Sequence, residues 1–169
     1  PMKKQPGEPQ LFAQQELGVG EGQLVGTARA VIGRAGTRRL HLLLCIRNVA
    51  FAQGVQGDPL ASAGEELNQA ADVAIRDFAF VDGTRSCAAG ASYGGHLSNW
   101  LQATTTRYRC LVSHAGLINL ESQWGTSDVI YSREINNGGP VWEQGRVWVE
   151  QNPIRYMAQF KTPTLVTIG

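Results

Sequence analysis

The sequence predicts an α/β fold, in which a mainly parallel sheet is flanked by helices. Apolar residues at helical spacing between Leu67 and Phe78 predict an amphipathic helix. The small apolar segment 86–91 is typical of a strand that is buried on both faces. Two further apolar segments, 109–117 and 162–169, predict strands after it. Helices and strands in this order are typical of a parallel α/β sheet.

The individual elements follow from local patterns. Ser62, with Glu65 three residues later, has the spacing of a capping box at the start of the first helix. Asp82-Gly83 predicts a turn within 81–85. The segment 119–160 is rich in Trp, Gly and Asn, which predicts short helices and loops. The second helix follows residue 91 and carries on one side Leu97, Trp100 and Leu101.

Composition excludes several classes of protein. The 169 residues are 43% hydrophobic and 17% charged, with a formal net charge of +1, which argues against a dedicated nucleic-acid binder. No apolar segment approaches a membrane span and no signal peptide is visible, so the compartment stays open between cytoplasm and periplasm. The cysteines and histidines lack the spacing of metal ligands, and no cofactor is predicted. The three cysteines, 45, 87 and 110, are interpreted as buried free thiols rather than a disulfide framework.

Residues 90–94, "GASYG", match the pattern G-x-S-x-G. In a nucleophile elbow this pattern places the serine on a strained turn between a strand and a helix. The flanking glycines allow the chain to pack closely on itself there. Ser92 is therefore the candidate nucleophile, and the backbone N–H of Tyr93 is the candidate donor to an oxyanion. A glycine-rich turn with an unreactive serine is the competing interpretation of the pattern taken alone.

From residue 50 onward the chain resembles the catalytic domain of the prolyl oligopeptidase family of serine peptidases, particularly its dipeptidyl aminopeptidase and acylaminoacyl-peptidase-like members. The resemblance is carried by "FVDGTR", "GASYGGHLSNW", "GGPVWEQ" and "NPIRYMAQFKTPTL". It implies an α/β-hydrolase fold, a peptide substrate, and no metal or organic cofactor. Residues 50–169 are thus predicted to form a partial catalytic domain, and residues 1–49, which do not match, to be disordered or foreign.

Two departures from the family pattern shape the prediction. The His-Gly-Gly-Pro loop and the upstream oxyanion tyrosine of the family are missing, since His41 is followed by three leucines and no tyrosine precedes Tyr93. In α/β hydrolases the acid and then the histidine follow the serine. The family positions of both fall after the strand that 162–169 matches, so the fold is predicted to be incomplete at both ends and this chain alone to be nearly inactive.

The histidines that are present do not match the position of the family base. His96 is interpreted as a packing or surface residue of the second helix. His114 ends the strand predicted beside the serine strand, where α/β sites assemble, and is a candidate for lining the substrate pocket together with Tyr93. Asp128 and Glu121 match no family acid position. An esterase or lipase of the same fold and a non-catalytic scaffold remain the alternatives.

Overall fold

The computed structural model describes residues 57–143 and 145–168 and, for their backbone alone, 12–16, 27–34 and 40–47. Six strands of the described residues form one sheet, in which each strand lies beside its neighbour in the sequence. The strands are β1 Phe12–Glu16, β2 Thr27–Arg34, β3 Leu40–Arg47, β4 Val81–Ala91, β5 Cys110–His114 and β6 Thr164–Thr167.

The sheet combines an antiparallel and a parallel part. Strands β1, β2 and β3 pair antiparallel, whereas β3 to β6 pair parallel. The prediction of an α/β fold with a mainly parallel sheet around the serine strand is confirmed. Strands β1, β2 and β3 fall within residues 1–49, the segment that the sequence leaves unmatched, and the boundary at residue 49 stays a prediction. The G-x-G strings at 18–22 do not lie between a clear strand and helix, so the sequence does not predict a dinucleotide-binding loop there, and they are outside the described residues.

Helices connect the parallel strands and cover the sheet. They are α1 Ala61–Asp77, α2 Tyr93–Thr104, α3 Leu120–Thr126, α4 Ile130–Asn137 and α5 Arg146–Glu150, with 3-10 turns at Val141–Glu143 and Pro153–Gln159. The short helices after β5 confirm the prediction for 119–160. None of the helices in the described part of the chain is long and apolar enough to span a bilayer.

The start of α1 is capped by a residue that the sequence pattern did not single out. Asp58 Oδ1 accepts a hydrogen bond from the Ala61 N–H at 3.1 Å and one from the Gln151 side chain at 2.6 Å. Although partial burial raises the pKa of Asp58, hydrogen bonds from Ser62, Gln151 and Ala61 together lower it below its usual value. The capping box predicted at Ser62 is wrong, because the Ser62 hydroxyl itself donates to Asp58.

The main core lies where α1 and α2 pack on β4 and β5. The apolar face of α1 predicted from spacing is confirmed, since Leu67, Ala71 and Ala74 are buried. The second helix buries Leu97 and Leu101 completely or nearly so. This packing fixes the end of β4 against the start of α2, where the serine lies.

A disulfide joins Cys87 in β4 to Cys110 in β5. The two residues are direct partners in the parallel register, with their Cα atoms 4.7 Å apart. The prediction of free thiols is therefore wrong for this pair. Sequence spacing alone did not reveal that the two strands would bring these positions together. The side chain of Cys45, on β3, is outside the described part.

Removing this disulfide should lower the free energy of unfolding by about 3 kcal/mol, because a cross-link 23 residues apart restricts the unfolded chain. The measurement is urea unfolding of the wild type and of a Cys87→Ser/Cys110→Ser double variant. Reductant should leave the stability of the double variant unchanged. Equal midpoints for oxidised wild type and double variant would contradict the prediction.

Candidate active site

Ser92 lies on a strained turn between β4 and α2. Its backbone has φ 55° and ψ −118°, a left-handed conformation that side-chain-bearing residues rarely adopt. Such a conformation costs on the order of 1–3 kcal/mol and persists only where the surrounding structure enforces it. The side chain is exposed to solvent. The turn predicted from the G-x-S-x-G pattern is thus confirmed, and its serine is presented at the surface.

Close backbone contacts explain the glycines around the serine. A Cβ on Gly90 would lie 2.2 Å from both the carbonyl carbon and the oxygen of Gly94. A Cβ on Gly95 would lie 2.7 Å from the His114 carbonyl oxygen and 2.8 Å from Gly116 Cα. Real Cβ atoms do not approach backbone this closely. The glycines therefore let the strand, the helix and the loop after β5 converge beneath Ser92.

Two backbone hydrogen bonds hold the turn. The Ser92 N–H donates to the carbonyl oxygen of His114 at 2.9 Å, and the His96 N–H donates to the Ser92 carbonyl oxygen at 3.0 Å. The first ties the serine to the end of β5, and the second begins α2. Ala115, directly after β5, also has a positive φ, of 47°. Two left-handed residues other than glycine therefore lie side by side at the carboxyl ends of β4 and β5.

Tyr93 is the first residue of α2. Its backbone N–H thus lies beside Ser92 at the end of the helix where the dipole favours negative charge. Its phenol donates a hydrogen bond to the Pro59 carbonyl oxygen. Burial, reinforced by the charges of Asp58 and Glu66, raises the pKa of Tyr93 above its usual value.

A cavity of about 380 Å³ opens beside the serine. Apolar residues form part of its wall and polar residues the rest, with a single arginine among them. The described residues that line it are Pro59, Ser92, Tyr93, His96, Ala115, Leu117, Leu120, Gln123, Arg133, Asn136 and Asn137.

His96 lies inside this wall and not on the helix surface. The residue is only 4% exposed, and its Nε2 has no hydrogen-bond partner among the described residues. Burial, together with the nearby charge of Arg133, lowers the pKa of His96 to about 3. The imidazole is therefore neutral at physiological pH. Its interpretation as a packing residue is correct for burial, but sequence reasoning missed its place on the cavity.

His114 takes part in the site through its backbone, and its imidazole does not line the cavity. Its carbonyl oxygen accepts from Ser92, while its exposed imidazole Nδ1 lies 2.9 Å from Thr167 Oγ1. His114 is not among the described residues that line the cavity. Glu121, one of the two acidic residues considered after β5, forms a salt bridge with Arg155, and its Oε1 lies 2.6 Å from Arg155 Nη2. His41 falls in β3, whose side chains are outside the described part.

The polar residues of the cavity that sequence reasoning missed come largely from α4. Arg133, Asn136 and Asn137 are spaced i, i+3 and i+4, so they share one face of this short helix. The Gln123 side-chain oxygen, in the orientation that its neighbours require, accepts from Arg133 Nε at 2.9 Å and from Nη2 at 2.8 Å. The spacing of polar residues on α4 is the signal that could have found them.

Comparison with known proteins decides the family. A model of the prolyl oligopeptidase family matches residues 47–169. The chain belongs to the prolyl oligopeptidase family. Family membership confirms the resemblance drawn from the motifs around Ser92, and the matched region begins close to the boundary predicted at residue 50.

Two curated relatives illustrate the match within the family. Dipeptidyl-peptidase 5 of Porphyromonas gingivalis is 36% identical over 95 residues, which is 53% of this chain and 14% of that protein. The peptidase YuxL of Bacillus subtilis, described as uncharacterised, is 29% identical over 120 residues, 70% of this chain and 18% of that protein. The chain thus spans less than a fifth of the length of either relative.

The fold also matches solved structures of peptidases. An acylaminoacyl peptidase in complex with Z-Gly-Gly-Phe-chloromethyl ketone superimposes with a TM-score of 0.71 at 14% identity, covering 95% of this chain and 32% of that one. Identity this low shows the fold alone, which is that of the α/β-hydrolase peptidases. Within the described residues no cluster of His, Cys, Asp and Glu could hold a metal ion.

Proposed function

We propose that this chain carries the nucleophile of a serine peptidase and that Ser92 forms an acyl-enzyme with short peptides. One observation carries the proposal: in a member of the prolyl oligopeptidase family, Ser92 projects from a left-handed turn at the edge of a 380 Å³ cavity. The names of the relatives, which describe dipeptidyl and acylaminoacyl peptidases, support peptides as the substrate class.

The chemistry follows from the position of the serine at the start of α2. Ser92 Oγ attacks the peptide carbonyl carbon and loses its proton to a base, while negative charge develops on the carbonyl oxygen. The Tyr93 N–H and the helix dipole stabilise that oxyanion. The base returns the proton to the leaving amine, which departs as the acyl-enzyme forms. Water then hydrolyses the ester and regenerates Ser92.

The base and its acid are proposed to come from sequence outside residues 1–169. In α/β hydrolases both follow the serine strand, the acid first. Two observations support a base from elsewhere: His96 is buried one turn along α2 from Ser92, and His114 Nδ1 lies 2.9 Å from Thr167 Oγ1. Without a base the hydroxyl is a weak nucleophile, and the loss of a triad member costs about four to six orders of magnitude in rate.

A fluorophosphonate probe tests this assignment. The isolated 169-residue chain should react at Ser92 at least about 10⁴-fold more slowly than the protein produced with the coding sequence that flanks it. In that longer protein Ser92→Ala should abolish labelling, whereas Ser122→Ala, at an exposed serine on α3, should leave it unchanged. Rapid stoichiometric labelling of the isolated chain would contradict the proposed location of the base.

The reaction class is tested on the longer protein with matched substrates. For each substrate, the turnover rate is divided by the rate of the uncatalysed reaction. A larger ratio for aminoacyl nitroanilides than for nitrophenyl esters supports a peptidase. Turnover of esters alone would replace the proposal with an esterase of the same fold. Absence of both activities and of probe labelling would leave the scaffold interpretation.

A further inference from the structure

Arg133 is a half-buried cation on the wall of the cavity beside Ser92. Within the described part of the chain it forms no salt bridge, whereas four other arginines each pair with a carboxylate there. Its guanidinium contacts the side-chain oxygen of Gln123. The adjacent Glu134 is engaged elsewhere, since its carboxylate accepts from Trp124 Nε1 at 3.1 Å. A half-buried guanidinium without an anionic partner gains strongly from a carboxylate that enters the cavity.

His96 supplies a second unsatisfied polar atom on the same wall. Its Nε2 is buried and has no hydrogen-bond partner in the described part. A neutral imidazole can present an N–H at this atom, and a buried donor without a partner destabilises the empty cavity. A bound acceptor oxygen would satisfy it. Asn136 and Asn137, whose side chains carry amide donors, line the same cavity.

The remaining wall fits a hydrocarbon stem. Pro59, Leu117 and Leu120 are apolar, and no carboxylate occurs among the described lining residues. An apolar wall beside a cluster of donors matches a side chain that carries methylenes and ends in a carboxylate. An aliphatic side chain would leave Arg133 without an anionic partner and His96 Nε2 without a hydrogen-bond partner.

We infer that this cavity selects a glutamate or aspartate side chain on the substrate residue next to the scissile bond, with Arg133 and the His96 imidazole receiving its carboxylate. The inference rests on the proposed function, since it takes Ser92 as the nucleophile that acts on that residue. Arg133 is here a specificity-determining residue, which contacts the substrate but takes no part in bond breaking.

Hydrolysis by the longer protein tests the selection. Dipeptidyl nitroanilides with Glu, Gln or Leu before the scissile bond should show kcat/KM for Glu about 100-fold above Leu and about tenfold above Gln. Arg133→Gln should lower kcat/KM for the Glu substrate to about the level of the Gln substrate, mainly through KM, and leave Leu within about twofold. Arg146→Gln, at an exposed arginine that pairs with Glu150, is the matched control and should change none of the three.

Two results would overturn the inference. One is preference for Leu over Glu by the wild type. The other is an equal loss on all three substrates in Arg133→Gln, which would indicate a structural role only.

Binding to the 169-residue chain separates this inference from the proposed chemistry. N-acetyl-glutamate N-methylamide, titrated by NMR, should bind at least about tenfold more tightly than its leucine analogue, and Arg133→Gln should remove the difference. Selective binding without any turnover or labelling would contradict the peptidase proposal alone. Turnover without selectivity for Glu in either measurement would contradict the specificity alone.

Discussion

Gly90→Ala should destabilise the protein by more than about 3 kcal/mol and abolish probe labelling of Ser92, the largest effect expected of a methyl group added to any glycine that the structure describes. The added Cβ would lie 2.2 Å from two backbone atoms of Gly94. Backbone does not move aside as the end of a flexible side chain does. Relief of the clash requires β4 to separate from the start of α2, which removes the turn that presents the serine. Urea unfolding and fluorophosphonate labelling of the longer protein measure the two losses.

Gly125→Ala is the matched control. A Cβ on Gly125 meets nothing within 4 Å, and the residue lies in α3 with no positive φ. Alanine there should leave stability unchanged or raise it by up to about 1 kcal/mol, since glycine is a poor helix former. A Gly90→Ala variant that unfolds at the wild-type urea concentration and labels normally would show that the contact between β4 and α2 is not as close as described.

Acid should destabilise the wild type through His96. Its pKa is lowered to about 3 in the folded protein by burial and by the charge of Arg133. An unfolded histidine has a pKa of about 6.5, so between these values the unfolded chain binds a proton that the folded chain does not. Stability is therefore fully present above about pH 6.5 and falls as pH is lowered. The slope is about 1.4 kcal/mol per pH unit, and the total by pH 3 is on the order of 4 kcal/mol.

The difference between wild type and His96→Gln isolates this effect. Carboxylates with lowered pKa, such as Asp58, also destabilise the protein in acid, but they are common to both chains. The free energies of unfolding in urea at pH 7, 6, 5 and 4 should converge as pH falls, because only the wild type loses stability through residue 96. A constant difference between the two chains across this range would contradict a buried neutral imidazole.

Sequence patterns predicted the serine turn and the helices α1 and α2 because these elements depend on residues that are close together in the sequence. The glycines at 90 and 94 indicate that the backbone of β4 packs closely against the start of α2, and the spacing of apolar residues predicts α1 and α2. Both signals act over a few residues, so they can be read along the chain. The turn at Ser92 was predictable for the same reason, since it requires residue 90 to pack closely against residue 94, only four positions along the chain.

Features that depend on distant contacts were missed or misread. The Cys87–Cys110 disulfide requires the register between β4 and β5, which spacing does not give. Asp58 replaces the predicted capping box because Gln151, 93 residues away, helps hold its carboxylate at the helix start. The wall of the cavity combines α2 with α3 and α4, so the proximity of His96 to Arg133 could not be deduced from either helix alone.

The serine is anchored to the neighbouring strand through the main-chain oxygen of residue 114 and not through its imidazole. Any amino acid can offer that oxygen. Substitution at residue 114 can thus change the charge and bulk of the side chain at the end of β5 while the nucleophile keeps its place, so this position can diverge among relatives without rebuilding the reactive centre.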